Sequence, residues 1–215
     1  SIRTASRRTI VARRAERRSR RIKTAPPPAP KSSGIDDPNI RILLSYTKSN
    51  SIFTSPSTLR IEGGGNIIFL DNGPVHITKE HDQCKAITSN GQIIAPHIKL
   101  SAKDQNSFVK IMTKPKSTDR YRGVIECRII DNEIKFINEL PLETYLHGLA
   151  EEPDTEPYEK QRAFAIAARS YALHYIISGQ RKFPGKPWDG SDSPASFQAY
   201  GGMVFEERNP RWKDA

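Results

Sequence analysis

The hydropathy period of this chain changes once, near Asn138, and that change sets its fold class. Between residues 40 and 138, apolar and β-branched residues cluster in short runs at 40–46, 66–70, 92–100, 108–112, 121–130 and 133–138. Runs of that length fit strands and fall short of a self-supporting helix. Turn chemistry separates several of them. Asn72-Gly73 and Asn90-Gly91 are strong hairpin signals because both residue types tolerate positive φ, and Asp131-Asn132 is a weaker one. Gly63-Gly64-Gly65 has no Lys-Ser/Thr after it and leads into a strand, so it reads as a turn and not as a phosphate loop.

After Asn138 the period becomes helical. Pro141 opens a short helix with Leu142, Leu146 and Leu149 on one face and Gly148 as its stop. A second helix is predicted over 155–178, capped by Asp154 or Thr155, with Pro157 in its first turn and Gly179 at its end. Alanines fall on nearly every face of 163–172, which predicts a buried, central helix. An irregular Gly/Pro/Ser-rich stretch follows over 179–194. The fold class is α+β: a β-rich part, then a helical segment.

Charge divides the chain differently. The net charge is +10, yet residues 1–24 alone hold ten Lys/Arg and one acid, Glu16. The rest is nearly neutral, which excludes a whole-domain nucleic-acid footprint. With few apolar residues, 1–24 predicts disorder, and the APPPAP run within 25–30 continues it as a stiff linker to about residue 38. The domain expectation is therefore a basic, Pro-rich tail over 1–38 and one domain over 39–215. The tail suits anionic polymers or a membrane surface, but no aromatic residue interleaves its arginines. Two cysteines, Cys84 and Cys127, sit in strand-like surroundings and read as small core residues. A disulfide between them and its absence are equally compatible with the sequence. No metal-ligand spacing is present.

Six carboxylates lie between Glu143 and Glu159. Glu143, Asp154 and Glu156 suit helix first turns, where the macrodipole favours acids. Glu151 differs, because it falls at the junction between two helices, where packed elements can aim a carboxyl into a cleft. Periodicity alone makes it a surface acid.

Motifs shift that weighting. In order, the chain carries Tyr121-Arg122-Gly123, Asn138 with Leu142-Glu143-Thr144-Tyr145-Leu146-His147-Gly148, Glu151, Ala167-Ala168-Arg169-Ser170-Tyr171-Ala172 and Gln198-Ala199-Tyr200-Gly201. This series resembles the SpoIID/LytB family of stage II sporulation protein D and LytB-type amidase enhancers, clearly after Tyr121 and weakly before it. The resemblance implies a peptidoglycan lytic transglycosylase with Glu151 as its acid. Arg169, Tyr171, Gln198 and Tyr200 become substrate-binding candidates, although an Arg169–Glu143 pair and a packed turn at Gln198–Tyr200 explain them as well. The loop from Gly148 to the Glu is about two residues shorter than in sporulation members, which leaves Glu152 a lesser claimant. Phe197 stands where some members carry a zinc-binding cysteine, so no metal and no cofactor are expected.

The implied reaction splits the β-1,4 bond between N-acetylmuramic acid and N-acetylglucosamine and forms a 1,6-anhydro ring, with one carboxyl as acid and then base. Implied partners are peptidoglycan glycan strands and an N-acetylmuramoyl-L-alanine amidase. The implied location is the cell envelope or the extracellular space. The alternative is a wall-binding amidase enhancer that needs no catalytic Glu. Family members continue past residue 215, which implies a domain truncated at its C-terminal end.

Overall fold

A computed structural model of the protein describes residues 37–215. The disordered tail expected at the N-terminus therefore lies outside the described residues, apart from Asp37 and Pro38. Twelve strands come first: β1 (Asn39–Leu44), β2 (Ser51–Thr54), β3 (Leu59–Gly63), β4 (Asn66–Leu70), β5 (Val75–Glu80), β6 (Gln83–Thr88), β7 (Gly91–Ala95), β8 (His97–Ala102), β9 (Val109–Ile111), β10 (Arg120–Tyr121), β11 (Val124–Ile130) and β12 (Glu133–Pro141). Then come α1 (Leu142–His147), α2 (Tyr158–Ile177), β13 (Gly190–Ser191), α3 (Met203–Arg208) and α4 (Pro210–Lys213). The α+β class and the order of its two parts are as the period change predicts.

The strands form two sheets. One runs β13-β1-β12-β11-β8-β3-β4, and the other runs β10-β9-β2-β5-β6-β7. Alternation places one residue in two inward. Ile40, Ile42 and Leu44 of β1 and Ile98 and Leu100 of β8 are wholly buried, and Phe53 of β2 and Ile77 of β5 join the same core. Strand β12 is buried on both faces at its centre, with Phe136 on one side and Ile137 on the other. The helices follow directly from it.

Cys84 on β6 and Cys127 on β11 form a disulfide and are both fully buried, so the two core residues are also a covalent tie between the sheets. A sequence shows spacing but not which strand faces which, and only the sheet packing brings these two sulfurs together.

The turns partly reverse their predicted ranking. Asp131-Asn132, the weak signal, makes the two-residue hairpin β11–β12 with both residues at positive φ. Gly64 and Gly65 do the same for β3–β4. Asn90 and Gly91 do belong to a hairpin, β6–β7, in which Gly91 is already paired with Thr88. Asn72-Gly73 makes no hairpin: β4 and β5 lie in different sheets, and the segment is a corner between them. The 92–100 run breaks at Pro96 into β7 and β8, and the 121–130 run breaks at Gly123.

Helix α2 is not buried all round. Only the stripe Gln161, Ala165, Ala168 and Ala172 is buried, against α1 and α4. Ile166 and Ile177 are 61% and 70% exposed. Alanine permits close approach on any face, but neighbours arrive on one. The helix also starts later than predicted, after Pro157, without a side-chain cap. Asp154 instead accepts the Arg211 and Trp212 amides, at 2.9 and 3.3 Å, and so satisfies two orphan donors of α4.

Candidate active site

Helix α1 ends at Gly148, where a Cβ would stand 2.6 Å from the Tyr200 ring. Only glycine lets the chain pass that close. Beyond it, two segments zip together antiparallel. Gly201 N–H donates to the Gly148 carbonyl (3.0 Å), Ala150 N–H donates to the Ala199 carbonyl (2.9 Å), and Leu149 bridges Tyr200. The Glu151 side chain extends this pairing: its Oε1 accepts the Ala199 N–H at 2.7 Å. Its Oε2 has no partner among the described residues. A carboxyl whose Oε1 accepts an amide hydrogen carries its own proton, when it has one, on Oε2.

Glu151 lines a groove of about 400 Å³ with Phe164, Ala167, Ala168 and Tyr171 of α2 and with Phe197 and Gln198. That volume lies within the range of small-molecule sites. Among the described residues, Glu151 is the only acid in this lining. Glu152 turns away: its side chain is 10% exposed and pairs with Lys160 at 2.9 Å. Gln198 Oε1 accepts the Tyr145 hydroxyl at 3.1 Å, which leaves the amide Nε2 as a donor with no partner among the described residues.

Behind the groove, a buried chain fixes this edge. Tyr145 and Tyr200 pack with ring centroids 4.9 Å apart. The Tyr200 hydroxyl donates to Asn138 Oδ1 at 2.7 Å, and Asn138 Nδ2 donates to the carbonyls of Arg122 and Val124. Burial pushes both phenols well up from their ordinary range, so both stay protonated donors.

The structure thus brings Glu151, Tyr171 and Gln198 to one groove. Arg169 and Tyr200 are not in its lining. Arg169 makes a two-pronged pair with Glu143, at 2.8 and 2.5 Å, that joins α2 to α1. Hydrogen bonding by Arg169 lowers the Glu143 pKa. Tyr200 is a core residue. His174 is exposed and His147 half-buried. Phe197 is a groove wall that no local signal in the sequence marks, whereas Phe164, Ala167, Ala168 and Tyr171 have the i, i+3, i+4, i+7 spacing of one helix face.

A larger cleft, of about 620 Å³, lies between the 103–108 loop, Arg122, His147 and the last two helices. Its one buried acid, Glu206, is held by Arg122 (2.9 Å) and Lys213 (2.9 Å), which outweigh burial and lower its pKa. A carboxylate committed to two cations is poorly placed to trade protons, so the smaller groove is the better candidate for chemistry. Among the described residues, no group of three or more His, Cys, Asp or Glu is placed to hold a metal, and no helix is long and apolar enough to cross a membrane.

Comparison with known families agrees with the motif series. Residues 130–215 match the SpoIID family model, described as stage II sporulation protein. The match contains the Glu151 loop, all of α2 and the Gln198–Gly201 segment. No curated protein and no solved structure matches the chain.

Proposed function

We propose that this protein, which carries a SpoIID-type segment over 130–215, is a lytic transglycosylase acting on peptidoglycan glycan strands at the Glu151 groove. The observation that carries the reading is the solitary carboxyl. The groove holds one acid, Glu151, anchored through Oε1 with Oε2 left open. A glycosidase of the common kind needs a second carboxyl to activate water or to attack the sugar. A single carboxyl suffices when the substrate supplies its own nucleophile.

In that cycle Glu151 Oε2 donates its proton to the β-1,4 oxygen between N-acetylmuramic acid and N-acetylglucosamine. The C1–O bond breaks, and the N-acetylglucosamine leaves as an alcohol. The muramyl C6 hydroxyl then attacks C1 and gives its proton to Glu151, which closes the 1,6-anhydro ring and restores the acid. Nothing is consumed but the glycosidic bond. Tyr171 and Phe197 supply ring surface for sugar faces, and Gln198 Nε2 supplies a fixed donor.

The buried Cys84–Cys127 disulfide supports a workplace outside a reducing cytosol, in the cell envelope or beyond it. The test is incubation with purified sacculi. Release of 1,6-anhydromuramyl products by the wild type and their loss in Glu151→Gln is the expected result. Equal stimulation of an N-acetylmuramoyl-L-alanine amidase by both proteins, with no glycan cleavage, would instead identify a non-catalytic wall-binding enhancer.

A further inference from the structure

Helix α2 and the loop after it place one cation beside the groove in an unusual setting. The loop carries Arg181, Lys182 and Lys186. Arg181 pairs with Asp189 (3.3 Å) and Lys186 pairs with Asp131 (2.8 Å). Lys182 makes no ion pair with a carboxylate among the described residues. Its ammonium instead lies over three rings, 5.2 Å from the Tyr171 centroid, 5.6 Å from Tyr175 and 6.0 Å from Phe197, and donates to the Tyr171 hydroxyl. Those rings form one cluster: Tyr171 is 5.1 Å from Phe197 and 5.2 Å from Tyr175.

Cation–π attraction restrains a long, otherwise mobile side chain without neutralising it. Charge and direction are therefore kept while no carboxylate among the described residues uses them. Tyr171 and Phe197 are also groove walls, so the ammonium, outside the lining itself, is held within about 6 Å of two side chains that form it. The hydrogen bond to the Tyr171 hydroxyl raises the Lys182 pKa, which favours its cationic form.

We infer that Lys182 is a specificity-determining residue that takes a carboxylate of the glycan, so that the groove selects acid-bearing sugars over neutral ones of the same length. This rests on the glycan reading of the Glu151 groove. An N-acetylmuramyl residue carries such a carboxylate on its lactyl ether, and an N-acetylglucosamine residue does not. A charge-assisted hydrogen bond at an exposed site corresponds to about a tenfold preference.

The experiment compares two tetrasaccharides by calorimetric titration, in the full chain with Glu151→Gln to stop turnover. One alternates N-acetylglucosamine with peptide-free N-acetylmuramic acid, and the other is neutral chitotetraose. The expected result is about tenfold tighter binding of the acidic ligand, weakening as salt rises. Adding Lys182→Met should remove that preference and leave chitotetraose affinity unchanged, and Lys182→Arg should restore it. A preference that survives in Lys182→Met, or equal binding of both ligands, overturns the inference and leaves the glycan reading standing. Binding of neither ligand overturns the inference. Glu151-dependent cleavage of sacculi, measured separately, keeps the two failures apart.

Discussion

The strand region and the helical region join one core with different side chains. Between the sheets, large side chains such as Ile42, Leu44, Phe53, Leu100 and Phe136 are wholly buried and a disulfide crosses the core. Helix α2 buries three alanines and a glutamine, and alanine offers little apolar area. Tyr171, Leu173, Tyr175 and Ile176 add partly buried contacts with the core, and polar links complete its seat: Arg169 to Glu143, Lys160 to Glu152 and Glu156, and Tyr158 to the Asp214 carbonyl at 2.7 Å. Such links are individually weak and screened by water. The groove wall thus rests on small side chains, half-buried rings and exposed polar links, where the sheets rest on large, wholly buried side chains.

Perturbations should separate the two regions. Glu151→Gln is expected to lower glycan cleavage by about 10²–10⁴-fold while the thermal midpoint stays put, read by product release and calorimetry on one sample. Leu100→Ala, in the sheet core, is expected to cost about 2–5 kcal/mol in denaturant unfolding. An equal loss from Ile166→Ala on the exposed face of α2 would erase the contrast. Replacing Cys84 and Cys127 together by Ser should cost about 4 kcal/mol, because the bond closes a sequence separation of 43 residues. A non-reducing gel with thiol counting would check the bond directly.

A smaller effect is expected at the hinge between the regions. Gly148→Ala drives a methyl toward the Tyr200 ring, at a cost of about 1–3 kcal/mol. Cleavage should fall by more than that loss explains, since the Glu151 strand pairs with the same segment. The smallest effect is electrostatic. Arg169 lowers the Glu143 pKa, so this pair's stabilisation is present above the ordinary carboxylate range and fades as pH falls through the lowered folded value. Both side chains are over a third exposed, at 40% and 47%, so Glu143→Gln should change stability at neutral pH by about 1 kcal/mol at most. A flatter acid limb in its stability–pH profile would mark the contribution.

Much of this was legible in the sequence because it is local. Helix α1 follows from Pro141, its leucines and Gly148, and the hairpin at Asp131-Asn132 follows from residues that tolerate positive φ. Glu151 and Gln198 were reached through motif order, and the groove unites them. Other features were hidden for a physical reason. Strands β2, β3 and β5 mix polar and apolar residues too evenly to stand out from turns. Asn72-Gly73 looks like a hairpin because the local signal reports a reversal and not which sheet receives the next strand. Lys182 carries no local signal, because its ring partner Phe197 comes from a distant segment.

The sequence by itself determined the change from strands to helices, the turn residues and the ordered motifs, since each depends on backbone preference or on neighbours within a few positions. Only the tertiary structure decided which carboxyl stands alone, which arginine is spent on an ion pair, which tyrosine is core and which two cysteines meet. Those outcomes depend on contacts between distant segments, where packing and charge pairing are settled together.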